Sequence, residues 1–308
     1  MAKLGRLLPL CLLPLAACGD DLAPAWQIRA FRLWGAKVEN LSRAAADPDV
    51  SEAAPGERVR LTLSYVDPSE NPRPLQVVWV FCAEARATAT SFACDPRGAS
   101  VLTGEQVEYT IPSITYGVDA MYRSRIQGVV LACAGGTLGF DPATMLPTCA
   151  GEGAESWVMT RSIIVRTAET DPPNHNPAIT EVVLLRNGRE SEPVVLDEAG
   201  TVTVPRCAGE GCPTHVIEVR VRDGSRERYE TLDNAARVIT QTERLQFGFF
   251  TGEGTLDNAF RVDGADRPMG PVRNTWTPPL RAGRATFYLT AQDVRGGFDV
   301  VRRAVTVE

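Results

Sequence analysis

Histidine is nearly missing from this chain, with two in 308 residues, and among 32 basic residues only Lys3 and Lys37 are lysine. So few histidines leave little room for histidine-based catalysis or His-rich metal sites. The preference for arginine points to a GC-rich genome. Arg-rich stretches such as 220–228 therefore read first as the wet side of strands, with Arg220 and Arg222 alternating with Val219 and Val221. Apolar runs of about 20 residues, the length of a transmembrane helix, do not occur. The nucleophile motif GxSxG, the zinc motif HExxH and the phosphate-cradling P-loop are absent too. These absences argue against an enzyme, although the carboxylate pair of a glycoside hydrolase would leave no local signature. Positive charge is also short: the formal charge is −6. Nucleic acid is thereby disfavoured as a partner, because its binding is driven by basic residues on phosphates.

Ordinary globular composition is present, with 44% hydrophobic and 23% charged residues. Residues 1–18 combine a basic start, a short apolar stretch and a small-residue cleavage site, the pattern of a secretory signal. Its last four residues, Leu15-Ala16-Ala17-Cys18, resemble the lipobox of bacterial lipoproteins. That resemblance implies cleavage before Cys18 and diacylation of its sulfur, usually with a third chain on the new amino terminus. Two or more acyl chains hold a protein stably on a bilayer. The Cys is followed by Gly19 rather than Asp, which favours the outer membrane. Losing Lys3 and Arg6 with the leader takes the charge from −6 to −8.

Of eight cysteines, Cys11 leaves with the leader and Cys18 takes lipid. Six remain in an exported chain, which reads as disulfides. Sequence-local pairing is expected: Cys82 with Cys94, Cys133 with Cys149, Cys207 with Cys212. If the strands ending at Cys82 and Cys133 are antiparallel neighbours, those two residues lie at opposite ends and cannot be bridged. Zinc at Cys207 and Cys212 would need a second close pair of ligands, and none exists.

Strand signals dominate the remainder. A first set covers 28–34, 58–65, 75–82, 106–111, 126–133 and 157–165, and a second covers 179–185, 194–204, 215–221, 245–250, 285–291 and 299–307. Between the sets, three prolines in the eight residues 170–177 read as a stiff linker. The expected division is a signal peptide 1–17, a lipidated tether 18–26, domains at 27–168 and 177–308, and a linker at 169–176. A short helix is conceivable within 230–243, and 263–281 reads as a long surface loop. Each half opens with an alternating strand and closes with a hairpin, which suggests a duplication. The closing segment 285–308, with Phe287, Leu289 and Ala291 alternating before Asp293-x-x-Gly296-Gly297, resembles the last hairpin of bacterial immunoglobulin-like modules of the PKD and cadherin groups. The resemblance implies an all-β chain of two tandem immunoglobulin-like β-sandwiches, without the inter-sheet disulfide of antibody domains.

Candidate sites are few. Asp171, Asn174 and Asn176 in the linker are the calcium candidates, although calcium wants six to eight oxygens and only Asp171 is a carboxylate. His215 reads as a partly exposed strand-edge residue. Trp34, Trp79 and Trp157 fall in strands and read as core, whereas Trp276 lies in the expected loop and is the candidate for contacting a partner. The leading function is a non-catalytic envelope scaffold or protein-interaction module without a cofactor. The alternative is a surface glycan-binding or adhesive module, with calcium at the linker.

Overall fold

A computed structural model describes residues 23–308 apart from residues 48, 70, 83–85, 88–91, 94–98, 114–123, 142–145, 167–171, 190–191, 210, 234, 236 and 264–269. The described residues form strands and hold no α-helix. The first half carries β1 (Arg32–Asn40), β2 (Glu52–Ala53), β3 (Arg58–Val66), β4 (Leu75–Cys82), β5 (Arg86–Ala87), β6 (Phe92–Ala93), β7 (Ala99–Thr103), β8 (Gln106–Thr110), β9 (Ser124–Ala134), β10 (Thr137–Asp141), β11 (Leu146–Ala150) and β12 (Glu155–Val165). Strand β3 shows why: Val59, Leu61 and Leu63 are buried on one face. On the other face Arg58 and Arg60 reach Glu108 of the neighbouring strand at 3.6 and 3.5 Å. A period of two with one wet side is what a half-buried strand requires.

Two sheets result, ordered β1-β3-β8 and β2-β12-β9-β4-β7. One apolar cluster fills the space between them, drawn from Val59 and Leu61 on one side and Trp79, Phe81, Val130 and Ile163 on the other. Trp79 is fully buried at the centre and donates its indole N–H to Gly104 O at 2.7 Å.

The second half carries β13 (Ile179–Leu185), β14 (Pro193–Val195), β15 (Thr203–Val204), β16 (His215–Val221), β17 (Arg228–Leu232), β18 (Val238–Thr242), β19 (Leu245–Thr251), β20 (Thr255–Leu256), β21 (Phe260–Val262), β22 (Val272–Thr277), β23 (Gly283–Asp293) and β24 (Phe298–Val307). Its sheets are β14-β13-β16-β22-β20 and β15-β24-β23-β19-β21. Phe247, Phe249, Trp276 and Phe287 form the middle of its core.

The duplication is visible in the topology. In each half the first strand joins one sheet, and a two-residue strand then crosses to the other sheet to pair in parallel with the last strand. The pairs are β2 with β12 and β15 with β24. In both halves the next strands follow the same course, β3, β4, β8 and β9 answering to β16, β19, β22 and β23. Three-strand A-B-E sheets facing G-F-C sheets are the immunoglobulin-like arrangement.

Several expectations need correction. Within 230–243, where a helix was expected, β17 and β18 pair as antiparallel strands, with Val238 and Ile239 opposite Leu232 and Thr231, and the β-branched Val238 and Ile239 suit a ladder. The span 263–281 contains β22, which lies between β16 and β20 in the sheet. The opening strand begins at Arg32 rather than 28, because residues 26–28 pair instead with Thr251 of the second sandwich.

Candidate functional site

The linker residues are built into the junction between the sandwiches. Asn176 Nδ2 donates to Val38 O at 2.7 Å and Asp49 O at 3.1 Å, while its Oδ1 accepts from Phe298 N at 2.9 Å. Asn174 Nδ2 donates to Ser51 Oγ at 2.9 Å and Asp293 Oδ2 at 3.2 Å. Each Asn thus ties the first sandwich to the second. Asn174 Oδ1 is buried without a hydrogen bond, one oxygen against the six to eight that calcium takes. Asp171, the carboxylate of that trio, lies outside the described residues. Among the described residues no group of three or more His, Cys, Asp or Glu could hold a metal.

Charge fills the centre of the junction. The Asp293–Gly297 turn, with Gly296 at φ +95°, is closed by Asp293 Oδ1, which accepts from Arg295 N at 2.8 Å and Gly297 N at 2.7 Å. A Cβ on Gly297 would fall 2.1 Å from Asp293 Oδ2, so this turn requires glycine there. It aims Arg295 inward, where the guanidinium bonds Glu243 and Glu227 and lies 3.7 Å from Glu52 of the first sandwich. Arg161 of the first sandwich donates to Gly296 O. His175 bridges the halves by bonding Glu227 on one side and Asp47, at 2.8 Å, on the other. The Glu227 bond, opposed by partial burial and helped by Asp47, raises the His175 pKa to about 9. Acids outnumber bases here. Burial and the Asp293 carboxylate therefore push Glu243 up to about 7 in spite of Arg295.

Beside the charged centre lies an apolar one. Trp34 stacks on Phe250 with ring centroids 4.1 Å apart, joined by Ile28, Val66 and Tyr288. The register shifts between Leu33 and Gly35, and this bulge turns Trp34 out of its own sandwich toward the second. Trp26 packs against the second core, so the end of the expected tether is docked rather than free. An open groove of about 510 Å³ runs between the sandwiches, lined by Trp34, Tyr65, Asp67, Tyr288, Val301 and Arg302. Its polar rim is engaged: Tyr65 donates to Glu105 at 3.0 Å, and Asp67 pairs with Arg73 at 2.9 Å.

Cys133 bonds Cys149 and Cys207 bonds Cys212. Cys82 is also in a disulfide, while Cys94 lies outside the described residues. Cys82 and Cys133 do sit at opposite ends of the antiparallel β4–β9 pair, opposite Gln127 and Gln76. Cys18 lies outside the described residues.

Trp276 needs correction. It is fully buried in β22, donates to Glu253 O at 3.1 Å and meets Phe287 edge-on at 5.0 Å. Its flanking Pro and Arg residues suggested a loop, but the alternation of Val272, Asn274 and Trp276 follows the strand's buried side. His215 is likewise buried, 5.9 Å from the Trp276 ring, and burial lowers its pKa. Trp157, expected in the core, is 38% exposed near the start of β12.

Sequence reasoning missed the outer face of the β2-β12-β9-β4-β7 sheet. Two cross-strand rows lie there: Val158, Leu131, Val78 and Thr103, then Thr160, Val129, Val80 and Val101. Val158 is 56% and Val101 62% exposed. The flanking rows hold Ser156, Cys133 and Gln76 at one end and Ser162, Gln127, Cys82 and Ala99 at the other. No charged side chain interrupts these four rows, in a chain that is 23% charged. The near-continuous apolar run of 75–82 carried the signal.

No protein-family model matches the chain, and no curated protein does. Among solved structures, the chain is similar to the D00-D0 domain of intimin (8% identity, TM-score 0.21, covering 89% of this chain and 99% of that one). It is also similar to fibronectin(III)-like modules of Clostridium thermocellum CbhA (10% identity, TM-score 0.20, 90% and 92% covered). A third is the Yersinia pseudotuberculosis adhesin InvE (12% identity, TM-score 0.20, 90% and 58% covered). At such low identities and scores these likenesses carry no inference about what the chain does, and its immunoglobulin-like character rests on strand order alone.

Proposed function

We propose that this chain is a non-catalytic lipoprotein of the bacterial envelope, held on the outer membrane through acylated Cys18 and serving as a protein-interaction scaffold. The uncharged outer face around Val78, Val80, Val129 and Leu131 carries the reading, since a contiguous apolar patch on a folded surface marks an interaction site more often than chance exposure does. The two sandwiches, at 27–168 and 177–308, act as one rigid body because the 169–176 linker is consumed by hydrogen bonds at its end. Residues between Cys18 and Pro24 span at most about 20 Å, so the body stays close to the bilayer.

Two measurements test the reading. Labelled palmitate should enter the wild-type chain and be lost in Cys18→Ala; equal labelling of both would remove the anchor. Native membranes extracted in mild detergent should yield the chain in a defined complex, and migration as a lone processed chain would remove the scaffold. In that outcome the aromatic groove of Trp34, Tyr65 and Tyr288 supports the glycan-binding reading, to be tested by loss of binding on a glycan array in Tyr288→Ala.

A further inference from the structure

The expected tether leaves the folded body at a fixed point, beside an exposed apolar edge strand of the second sandwich. We infer that this edge, strand β21 with Phe260 and Val262, lies against the headgroup zone of the bilayer that holds Cys18; the inference rests on the lipid-anchored reading above.

The tether's last residues are held on the second sandwich. Arg32 Nη1 donates to Ala25 O at 2.7 Å, Gln27 N to Pro24 O at 2.8 Å and Thr251 N to Trp26 O at 3.0 Å. Strand β21 runs along the same side of β19, where Phe249 N donates to Ala259 O at 2.8 Å. Backbone N–H groups two residues apart on a strand point the same way, so Trp26 and Ala259 share one edge, about 7 Å apart along it. The chain from Cys18 to Pro24 reaches at most about 20 Å, and the acyl chains therefore enter the bilayer close to β21.

The surface at that point suits a lipid headgroup zone. Phe260 is 50% and Val262 65% exposed, on alternate positions of β21. Phe260 meets Phe250 edge-on at 5.5 Å, and Phe250 stacks on Trp34, so the exposed ring stands on a packed support. Arg32 covers the same cluster, 5.6 Å from the Trp34 ring and 6.0 Å from Phe250. Among the described residues no carboxylate pairs with Arg32, and Arg29 nearby is exposed. The carboxylate next to Val262, Asp263, is held by Arg226. Aromatic rings and aliphatic stems bury in the interfacial zone of a bilayer while guanidinium groups meet lipid phosphate.

Area selects the bilayer over a protein as the occupant. Two half-exposed side chains fall far short of the roughly 1,000 Å² that a specific protein interface needs. They suffice to orient a body that acyl chains already hold at the surface, because the anchor supplies the affinity. The formal charge of −6 makes most other faces poor neighbours for anionic lipid.

The test reconstitutes the full lipidated chain in vesicles of phosphatidylethanolamine and phosphatidylglycerol. A fluorescent residue replaces Val262, and a second version carries it at Val195, 56% exposed on β14 at the other edge of the sandwich. A spin label on the lipid acyl chains should quench position 262 severalfold more than position 195. Phe260→Ser should lower the quenching at 262. Arg29→Glu, outside the core, should lower it too, and only while the anionic lipid is present. Equal quenching at the two positions in vesicles that carry the chain on flotation would overturn the oriented edge and leave the anchor intact. A chain that fails to float with the vesicles would overturn both. In native membranes, a label at 262 shielded from a water-soluble quencher but untouched by the lipid-borne one would mean that a protein covers the edge, which would also overturn the inference.

Discussion

Arg295 and Glu243 meet with both side chains at 0% exposure, where the two sandwiches join. A buried ion pair contributes little net stability against an apolar replacement of the same shape, but removing one partner strands the other charge. Arg295→Met would leave Glu243, Glu227 and Glu52 without their shared cation. We expect a loss of about 3–5 kcal/mol in urea unfolding. A midpoint within error of wild type would show that the junction absorbs the lost charge.

The pH dependence follows from His175. Its pKa is about 9 when folded against an ordinary 6.5, held up by Glu227 and Asp47. A raised pKa means that the folded state holds the proton more tightly. The stabilisation is complete below about 6.5 and fades as pH rises through about 9. Glu243, at about 7 through burial and Asp293, also makes the fold less stable as pH rises, in a lower window. Urea midpoints should therefore fall from pH 6.5 to 9.5, and His175→Gln should flatten the upper part of that fall. A wild-type midpoint constant across the window would refute the assignment.

Much of the fold was legible from alternation alone. Strands 58–65 and 75–82 nearly match β3 and β4, and the closing turn was read from Asp293, Gly296 and Gly297. Those segments announce themselves because side-chain periodicity and turn chemistry are local. The junction was not legible. Nothing local in Asn174 or Asn176 says that their amides will bond Ser51 and Val38, more than 120 residues away. Arg295 looked like a turn residue, because a charge is expected to face water unless partners converge on it from elsewhere. Ile28 misled for a related reason: it was read as the start of the opening strand, but its N–H bonds Thr251 of the other sandwich.

Trp276 separates packing from recognition. It is fully buried against Phe287 and bonded to Glu253 O. Trp276→Ala should cost about 3–5 kcal/mol, the range for deleting a large core aromatic. Thermal unfolding reads that cost directly. Full stability with impaired partner binding would restore Trp276 as a contact residue.

Gly35 is the most economical place to test whether the sandwiches are held as one body. A Cβ there would lie 2.7 Å from the Phe298 ring, and Phe298 is itself buried and anchored through its backbone N–H to Asn176 Oδ1. The ring cannot retreat without disturbing the junction, because the next residue, Asp299, accepts from Ile179 N at 2.8 Å. Gly35→Ala should therefore destabilise by about 1–3 kcal/mol, the cost of overpacking a tight site. The damage should be concentrated between the sandwiches. Hydrogen exchange would show faster exchange at Phe298 and Asn176, with Trp79 and Trp276 core strands unchanged. Unaltered exchange at Phe298 would mean that the close approach of the two sandwiches is not required for the fold.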